Sequence, residues 1–207
     1  MTVLWIALGY LIGTIPSAWL VAAAAGDRHR LRVERTQSER DPHIVIAEEL
    51  GMRWAVVAAT ADVVKAFAFI LVLRLLVSVS AETLAWAGIA LVFGYAYPFY
   101  AQRFAGRGLA ASSGVLLAAL PVAMVVAGLT ILAGRAIRQT GLASTIGMAS
   151  TPFVASARGA PAPEVWMTIA IFALVMIRRA EGVARSVPSQ TERARAILHR
   201  CIFDAGP

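Results

Sequence analysis

The sequence predicts an all-α integral membrane protein with about seven transmembrane segments, two of them short. Of its 207 residues, 59% are hydrophobic and only 15% are charged, whereas soluble domains carry about a quarter charged residues. The apolar residues form long uncharged blocks, such as residues 2–25 and 83–102, whose lengths match the thickness of a bilayer core. The cations lie in short stretches beside these blocks, which is typical of cytoplasmic loops.

The first element is predicted to be a transmembrane span over residues 2–25. A cleaved signal peptide is the alternative, because the small residues at 22–25 resemble a cleavage site. The span is favoured, since no basic stretch precedes the apolar run and the run exceeds the usual length of a signal core. Residues 26–53 contain six arginines and are therefore predicted to form a cytoplasmic loop.

Five further apolar blocks follow this loop: residues 54–79, 83–100, 109–133, 142–157 and 165–177. The block 109–133 begins and ends beside basic segments, although a single crossing would place its ends on opposite sides of the membrane. We therefore expect Pro121 to divide it into two short helices, because proline removes a backbone donor and disrupts a helix. Seven helical segments result, and six spans with one misassigned loop is the alternative.

The charge distribution also predicts an orientation. The basic stretches are residues 26–53, 102–107, 135–138 and the carboxyl-terminal tail, which has six arginines against three acids from residue 178 onward. These stretches should face the cytoplasm, and the cation-poor links at 80–82 and 155–164 should face outward. We predict one polytopic membrane domain over residues 1–185 and a cytoplasmic tail over 186–207. The protein should lie in the cytoplasmic membrane with its amino terminus outside and its carboxyl terminus in the cytoplasm.

Several functional classes are disfavoured by the composition. The single cysteine, Cys201, excludes an intramolecular disulfide and a thiolate metal cluster. The histidines, His29, His43 and His199, are scattered along the chain, so we predict no metal site and no cofactor. No Gly-x-Ser-x-Gly elbow of a serine hydrolase is present. Nucleic acid is not an expected partner, because the net charge of +7 is concentrated beside apolar spans.

The most informative segment is Gly106-Arg107-Gly108, which lies between two apolar blocks. Glycine permits close approach of the backbone, and the amides of a helix starting after Gly108 would point toward an anion. Arg107 could hold a phosphate through its fork of donors. A flexible loop whose arginine only fixes the membrane orientation is the alternative.

Asp62 and Lys65 lie inside a predicted span and, at a spacing of three, share one helix face. Ionisable groups in a span usually face the bundle interior or an aqueous cavity. The structural interpretation is that Asp62 and Lys65 form an ion pair with each other, and a direct catalytic role is the alternative. A small transporter using this pair is a further hypothesis, which an internal repeat would support, but the sequence contains none that we detect.

Two other polar segments bring hydroxyl groups beside cations. Ser38 lies between Arg35 and Arg40 in the first basic loop, although a solvated run of charges is the alternative there. Arg138 and Ser144 flank the start of the block 142–157. Both segments are predicted to lie at the cytoplasmic surface.

Six segments carry a resemblance to a known family: residues 9–18, 50–51, 62–66, 94–114, 142–144 and 178–181. In order and spacing they resemble the bacterial acyl-phosphate:glycerol-3-phosphate acyltransferases of the PlsY type. The similarity covers nearly the whole chain. It implies a bundle of seven helices with an outside amino terminus and three cytoplasmic motifs, which agrees with the topology derived from the charges.

The resemblance implies transfer of an acyl group from acyl phosphate to glycerol 3-phosphate or an analogue, in phospholipid synthesis and without a metal. Catalytic residues are expected at Ser38, Arg107 and Ser144. Substrate phosphate is expected at Arg40, Arg103, Gly106, Gly108 and Arg138. Membrane lipids are expected partners, and a membrane-protein partner is left open.

The chain also departs from the family pattern. Its first motif keeps Ser38, but Glu39 stands at a glycine position and Glu48 at an arginine position. A carboxylate there would repel a phosphate. Tyr95 and Arg179 occupy two histidine positions. A catalytically inactive relative that binds lipid or a membrane partner is therefore the alternative function, since a shared fold does not by itself carry activity.

Overall fold

The computed structural model describes residues 1–25, 41–100, 105–186 and 196. Nine α-helices lie in these ranges: α1 Thr2–Thr14, α2 Ser17–Ala24, α3 Pro42–Glu49, α4 Met52–Leu75, α5 Ala81–Ala96, α6 Leu109–Ala119, α7 Pro121–Ala136, α8 Thr140–Ala157 and α9 Ala162–Ser186. The chain folds as two compact units, Met1–Ala118 and Ala119–Pro207. The proposed division at residue 185 stays a prediction.

The first predicted span is a bent pair of helices rather than one helix. The chain turns by 41° between α1 and α2, because Pro16 has no backbone N–H to continue the helical ladder. The carbonyls freed at this break receive side-chain donors. Lys65 Nζ lies 2.6 Å from the Ile15 oxygen, and the Tyr100 hydroxyl lies 2.6 Å from the Thr14 oxygen.

Within the described residues, α4 is the one helix long and apolar enough to cross a bilayer alone, and α1 with α2 would do so as one bent span. Helices α5, α6 and α7 are apolar but shorter. The expected break at Pro121 is confirmed, since α6 ends at Ala119 and α7 begins with the proline. The described residues contain more helices than the seven predicted segments, because Pro16 divides the first block and α3 forms inside the charged loop. The number of spans stays a prediction.

Helix α3 lies inside residues 26–53, which the charge pattern predicts to be a loop. Asp41 caps it by accepting a hydrogen bond from the His43 amide at 3.0 Å, and Pro42 occupies its first turn. Both are favoured residues at those positions. The fully buried Ile46 packs with Ala18 of α2 and with Ala55 of α4, so an apolar cluster holds the three helices together.

Helices α1 and α5 pack closely through glycines. A Cβ added to Gly9 would lie 2.6 Å from the Ala87 oxygen. Gly13 packs against the backbone at Leu91, and Gly94 of α5 packs against the backbone at Tyr10 of α1. Small residues allow helix backbones to approach closely, and this contact organises the amino-terminal unit.

In the second unit, α7 packs against α8, and α8 packs against α9. The turn after α7 is closed by a hydrogen bond of 2.7 Å from the Gln139 amide to the Gly134 oxygen. Arg138 forms this turn with a left-handed φ of 60°, at the position where glycine usually ends a helix. Helix α9 continues to Ser186, beyond the predicted end at residue 177, so Arg178 and Arg179 lie on the helix.

Candidate functional site

In the amino-terminal unit, the Gly106–Gly108 turn lies directly before α6. Gly108 has a φ of 92°, which side-chain-bearing residues rarely adopt. The first turn of a helix leaves backbone N–H groups without an acceptor inside the helix. The turn therefore places Arg107 next to a helix end that favours negative charge.

A carboxylate from a distant part of the chain holds this turn. Asp41 Oδ2 accepts a hydrogen bond of 3.3 Å from the Arg107 amide. Its other oxygen, Oδ1, accepts from the amide of His43 at 3.0 Å and lies 2.9 Å from His43 Nδ1. One side chain thus caps α3 and also binds the turn before α6.

His43 continues this connection into α4. Its Nε2 lies 3.1 Å from Asp62 Oδ2, and Asp62 is 1% exposed. Asp62 Oδ1 lies 2.7 Å from Lys65 Nζ, so the expected pairing of Asp62 with Lys65 is present. Lys65 also donates to the Ser17 hydroxyl at 3.1 Å. The pair is therefore part of a larger cluster, Asp41–His43–Asp62–Lys65, which we call the charged cluster.

The pKa values of the two residues from the charged loop follow from this pairing. Burial alone would lower the pKa of His43, but the hydrogen bonds and charges of Asp41 and Asp62 outweigh it and raise the pKa to about 10. Burial alone would raise the pKa of Asp41, but His43 and the charge of Arg107 lower it to about 2. His43 is thus a cation and Asp41 an anion at neutral pH.

These shifts determine how pH affects stability. The contribution of His43 is complete below its ordinary pKa of 6.5 and is lost as the pH rises through about 10. The contribution of Asp41 is complete above its ordinary pKa of 3.8 and is lost as the pH falls through about 2. The Asp41–His43 pair therefore stays intact across the neutral range.

Tyr95 joins the turn to the charged cluster from the side of α5. Its ring centroid lies 5.4 Å from Lys65 Nζ, within the range of a cation–π contact. The other end of the ring packs on Gly106, where a Cβ would overlap both the ring and its hydroxyl. The space that glycine leaves at position 106 is thus filled by Tyr95.

Gly106→Ala is expected to displace the turn or the Tyr95 ring, because a buried aromatic side chain cannot yield without repacking. We expect the variant to lose about 1–3 kcal/mol of stability and most of its activity. Thermal unfolding in detergent and a turnover assay would measure the two effects. An alanine variant with unchanged stability and activity would show that Tyr95 moves freely.

The second unit contains a different polar site. Arg179 of α9 is 2% exposed, and its Nη2 donates to the Ser144 hydroxyl at 2.7 Å. Its Nη1 donates to the Thr145 hydroxyl, also at 2.7 Å. Both hydroxyls in turn donate to the Gly141 oxygen in the first turn of α8, at 2.7 and 3.1 Å. A buried guanidinium is thus oriented by two hydroxyl groups.

The predicted site residues are distributed unevenly over these two sites. Arg107, Gly106 and Gly108 form the anchored turn, and Ser144 contacts Arg179. Arg138 is exposed and ends a helix. Three further predicted residues, Ser38, Arg40 and Arg103, lie outside the described residues. Their roles, and those of the residues above in catalysis or phosphate binding, stay predictions.

Three residues of these sites were missed by the sequence analysis. Asp41 followed by Pro42 is a recognisable helix start, and that signal would have placed a helix in the charged loop. His43 was dismissed as one of three scattered histidines, and Arg179 was noted only as a departure from a family pattern. In the ranges that the structure describes, no group of three or more His, Cys, Asp or Glu could hold a metal ion.

A scan against protein families matches residues 3–188 to the family described as glycerol-3-phosphate acyltransferase. The glycerol-3-phosphate acyltransferase of Rubrobacter xylanophilus is 29% identical over 194 residues, which cover 93% of this chain and 94% of that protein. The protein of the same name from Geobacter sulfurreducens is 28% identical over 193 residues, covering 92% and 96%.

The fold is also similar to that of solved structures. The crystal structure of PlsY (YgiH), an integral membrane glycerol 3-phosphate acyltransferase, in its glycerol 3-phosphate form has a TM-score of 0.76 and 25% identity. The alignment covers 89% of this chain and 90% of the other. The lysophosphatidic acid form of PlsY has a TM-score of 0.74. The predicted all-α membrane fold is therefore confirmed.

Proposed function

Because the chain belongs to the glycerol-3-phosphate acyltransferase family along residues 3–188, we propose that it transfers an acyl group from acyl phosphate to glycerol 3-phosphate. In this reaction the acceptor hydroxyl oxygen attacks the acyl carbonyl carbon. A carbon–oxygen ester bond forms, the bond from the acyl carbon to the phosphate oxygen breaks, and inorganic phosphate leaves with the hydroxyl proton. The product is lysophosphatidic acid.

The observation that carries this proposal is the anchored turn at residues 106–108. Arg107 stands between two glycines at the start of a helix, and the Arg107 amide is fixed by Asp41. A guanidinium and free helix amides together suit the oxygens of a phosphate. We assign this turn to one of the substrate phosphates.

The Arg179 site is a second candidate for binding an anionic substrate group. Its two guanidinium nitrogens are directed by Ser144 and Thr145, and a planar fork of donors matches phosphate geometry. The hydroxyls of Ser144 and Thr145 accept from this guanidinium and donate to the Gly141 oxygen, so their role here is to orient Arg179. Catalysis is then a matter of holding the two substrates in reactive geometry and stabilising developing charge.

The membrane location follows from the same family membership. The chain is a multi-pass integral membrane protein, like its structural relative. We propose that its amino terminus lies outside the cytoplasmic membrane and its carboxyl terminus inside, since the basic segments should face the cytoplasm. The Gly106–Gly108 turn would then meet its phosphorylated substrates at the cytoplasmic surface. Membrane lipid would take up the acylated product.

The inactive alternative gains no support from the relatives, which carry the enzyme name and are matched over 94% and 96% of their length. The damaged first motif still has to be explained, because Glu48 stands at an arginine position of that motif. In the structure, the loop that contains this motif supplies Asp41 and His43 to the charged cluster. A membrane-protein partner remains a separate proposal, which co-purification would test.

Arg107→Ala is expected to lower the rate of acyl transfer by at least about 100-fold, because removal of one key donor from an anion-stabilising site has an effect of this size. The Asp41 contact uses the Arg107 backbone amide, so the turn itself should persist in this variant. The measurement is turnover of palmitoyl phosphate with glycerol 3-phosphate by the detergent-purified protein.

Arg107→Lys is the matched variant, because it keeps the charge but lacks the planar fork, and it should retain intermediate activity. The thermal unfolding midpoint should be similar for all three proteins. Full activity of Arg107→Ala would remove the assigned role of the turn. No turnover by well-folded wild-type protein with these substrates would reject the proposed reaction.

A further inference from the structure

We propose that Asp41 and His43 form a positioning device that fixes the Gly106–Gly108 turn for substrate binding. A continuous row of polar contacts connects the turn to α3, to α4 and to the break between α1 and α2. This inference rests on the proposed function, because it assigns the device to the phosphate site at Arg107. Both residues act through other groups, so neither is a catalytic residue.

The two oxygens of the Asp41 carboxylate have different partners. Oδ1 accepts from the His43 amide and so caps α3, whereas Oδ2 accepts from the Arg107 amide. The two functions therefore use different atoms of one carboxylate. Movement of α3 relative to the turn would break one of these contacts.

The His43 ring lies between two carboxylates. Nδ1 faces Asp41 and Nε2 faces Asp62, at 2.9 and 3.1 Å. Ionised carboxylates only accept hydrogen bonds, so both ring nitrogens must donate and the ring is an imidazolium. Because both nitrogens are engaged, His43 is not available as a general base.

Asp62 is supported in turn by Lys65 of the same helix. Lys65 pairs with Asp62 at 2.7 Å and donates to the Ile15 oxygen at the break beside Pro16. The charged groups facing His43 are thus Asp41 from its own helix segment and Asp62 from α4, with Arg107 and Lys65 behind them. Cations and anions alternate along this row, so Asp41, His43 and Asp62 each lie between groups of opposite charge and the geometry is strongly determined.

The consequence concerns the position of Arg107. Its guanidinium can hold a phosphate in a defined place only if the backbone of residues 106–108 is fixed. Tyr95 packs on Gly106 from one side, but the glycines that flank Arg107 impose no side-chain restraint of their own on its backbone. The Asp41 contact supplies the missing restraint, and His43 keeps Asp41 charged and correctly oriented.

The test compares Asp41→Asn and His43→Gln with the wild type. Asparagine is as good a helix cap as aspartate, so Asp41→Asn keeps α3. It has only one side-chain oxygen, however, and that atom cannot accept from both His43 and the Arg107 amide. Glutamine at position 43 has one amide group and cannot reach both carboxylates as donor. Ile44→Ala, at a half-exposed position of the same helix, is the control.

Two readouts are needed, both on the full-length protein. For the transfer reaction, we expect KM for glycerol 3-phosphate to rise about tenfold in Asp41→Asn and His43→Gln while kcat changes less, as for a loss of binding geometry. In hydrogen exchange, peptides covering residues 105–108 should exchange faster, whereas those covering 44–49 should not. The double variant should be no worse than the worse single one, because both residues act through one row of contacts.

Each outcome of these experiments either supports or overturns the positioning role of Asp41 and His43. Unchanged exchange in residues 105–108 would overturn the proposal, as would effects of the two substitutions that multiply in the double variant. Equal acceleration across α3 would reduce Asp41 and His43 to a role in helix stability and would also overturn it. If the wild type transfers no acyl group, the proposed function fails, and the exchange experiment still decides whether these residues hold the turn.

Discussion

Gly13→Ala and Gly94→Ala should each prevent the amino-terminal unit from reaching its native packing. An added Cβ at Gly13 would lie 2.9 Å from the Leu91 carbon and the Tyr95 nitrogen, and closer still to the Leu91 oxygen. At Gly94 the new atom would meet the Tyr10 carbonyl. These neighbours are backbone atoms, so no side-chain rotation relieves the overlap, and α1 would have to move away from α5.

We expect each substitution to cost more than the about 1–3 kcal/mol that is usual for an overpacked side chain. The yield of monodisperse protein in detergent and its thermal unfolding midpoint would both fall. The loss should extend to activity, because α1 carries the Tyr10 hydroxyl that donates to the Tyr97 oxygen at 3.0 Å. Displacement of α1 would therefore disturb the segment that leads from α5 toward the turn.

Gly128→Ala is the matched control. It also lies inside a helix, α7, but among the described residues no atom outside its chain neighbours and the nearby backbone of its own helix lies within 4 Å of the added Cβ. Alanine is favoured over glycine in a helix by up to about 1 kcal/mol, so this variant should be at least as stable as the wild type. Equal behaviour of Gly13→Ala and Gly128→Ala would show that the close contact of α1 and α5 does not determine folding.

Much of the helical framework is predictable from the sequence because the signals are local. Uncharged blocks and proline positions place most helix ends, and the break at Pro121 follows from a proline between two basic flanks. Pro16 carries the same signal. It was overlooked because the whole block 2–25 fits a bilayer, although proline disrupts a helix whether or not the block is long enough to span.

The charged cluster is not predictable in the same way. The pairing of Asp62 with Lys65 is local and follows from a spacing of three residues on one helix. His43 reaches the same carboxylate from a different helix, and Asp41 reaches a turn 66 residues away. Such contacts depend on how helices pack, and no periodicity in the sequence encodes them. Because these partners are distant along the chain, His43 meets Asp62 and Asp41 meets the turn at residues 106–108 only after folding.

The family motifs predict which segments are functional, which local signals do not. They do not predict what the substituted positions of those motifs contact. Comparison by motif treated Tyr95 and Arg179 as lost histidines. In the structure, Tyr95 packs on Gly106 and near Lys65, and Arg179 binds two hydroxyls of α8. Substituted positions of a motif thus make organised contacts of their own.

Arg179→Ala is expected to abolish activity, with a loss of at least about 100-fold. The guanidinium is almost fully buried and donates to both Ser144 and Thr145. Truncation would remove a cation from the proposed anion site and leave the buried Ser144 hydroxyl and the partly buried Thr145 hydroxyl without their donor, which is costly in itself. Arg179→Lys should recover only part of the activity, because one ammonium group lacks the fork that serves two acceptors.

Arg178→Ala provides the comparison that separates this effect from a general loss of charge on α9. Arg178 is the adjacent residue of the same helix, and its side chain, which is 16% exposed, pairs at 2.5 Å with Glu181, which is 33% exposed. Partly exposed pairs contribute little to stability, so Arg178→Ala should fold and turn over nearly as well as the wild type. Turnover and thermal unfolding would be measured for both alanine variants side by side.

Ser144→Ala then distinguishes binding from folding at the Arg179 site. It removes one of the two hydroxyls that orient the guanidinium but leaves Thr145 and the charge in place. If Arg179 binds a substrate anion, Ser144→Ala should raise KM with little change in the unfolding midpoint, since only the direction of the fork is affected. If Arg179 serves only to join α8 to α9, Arg179→Ala should lower the unfolding midpoint, and the protein that stays folded should retain its kcat and KM.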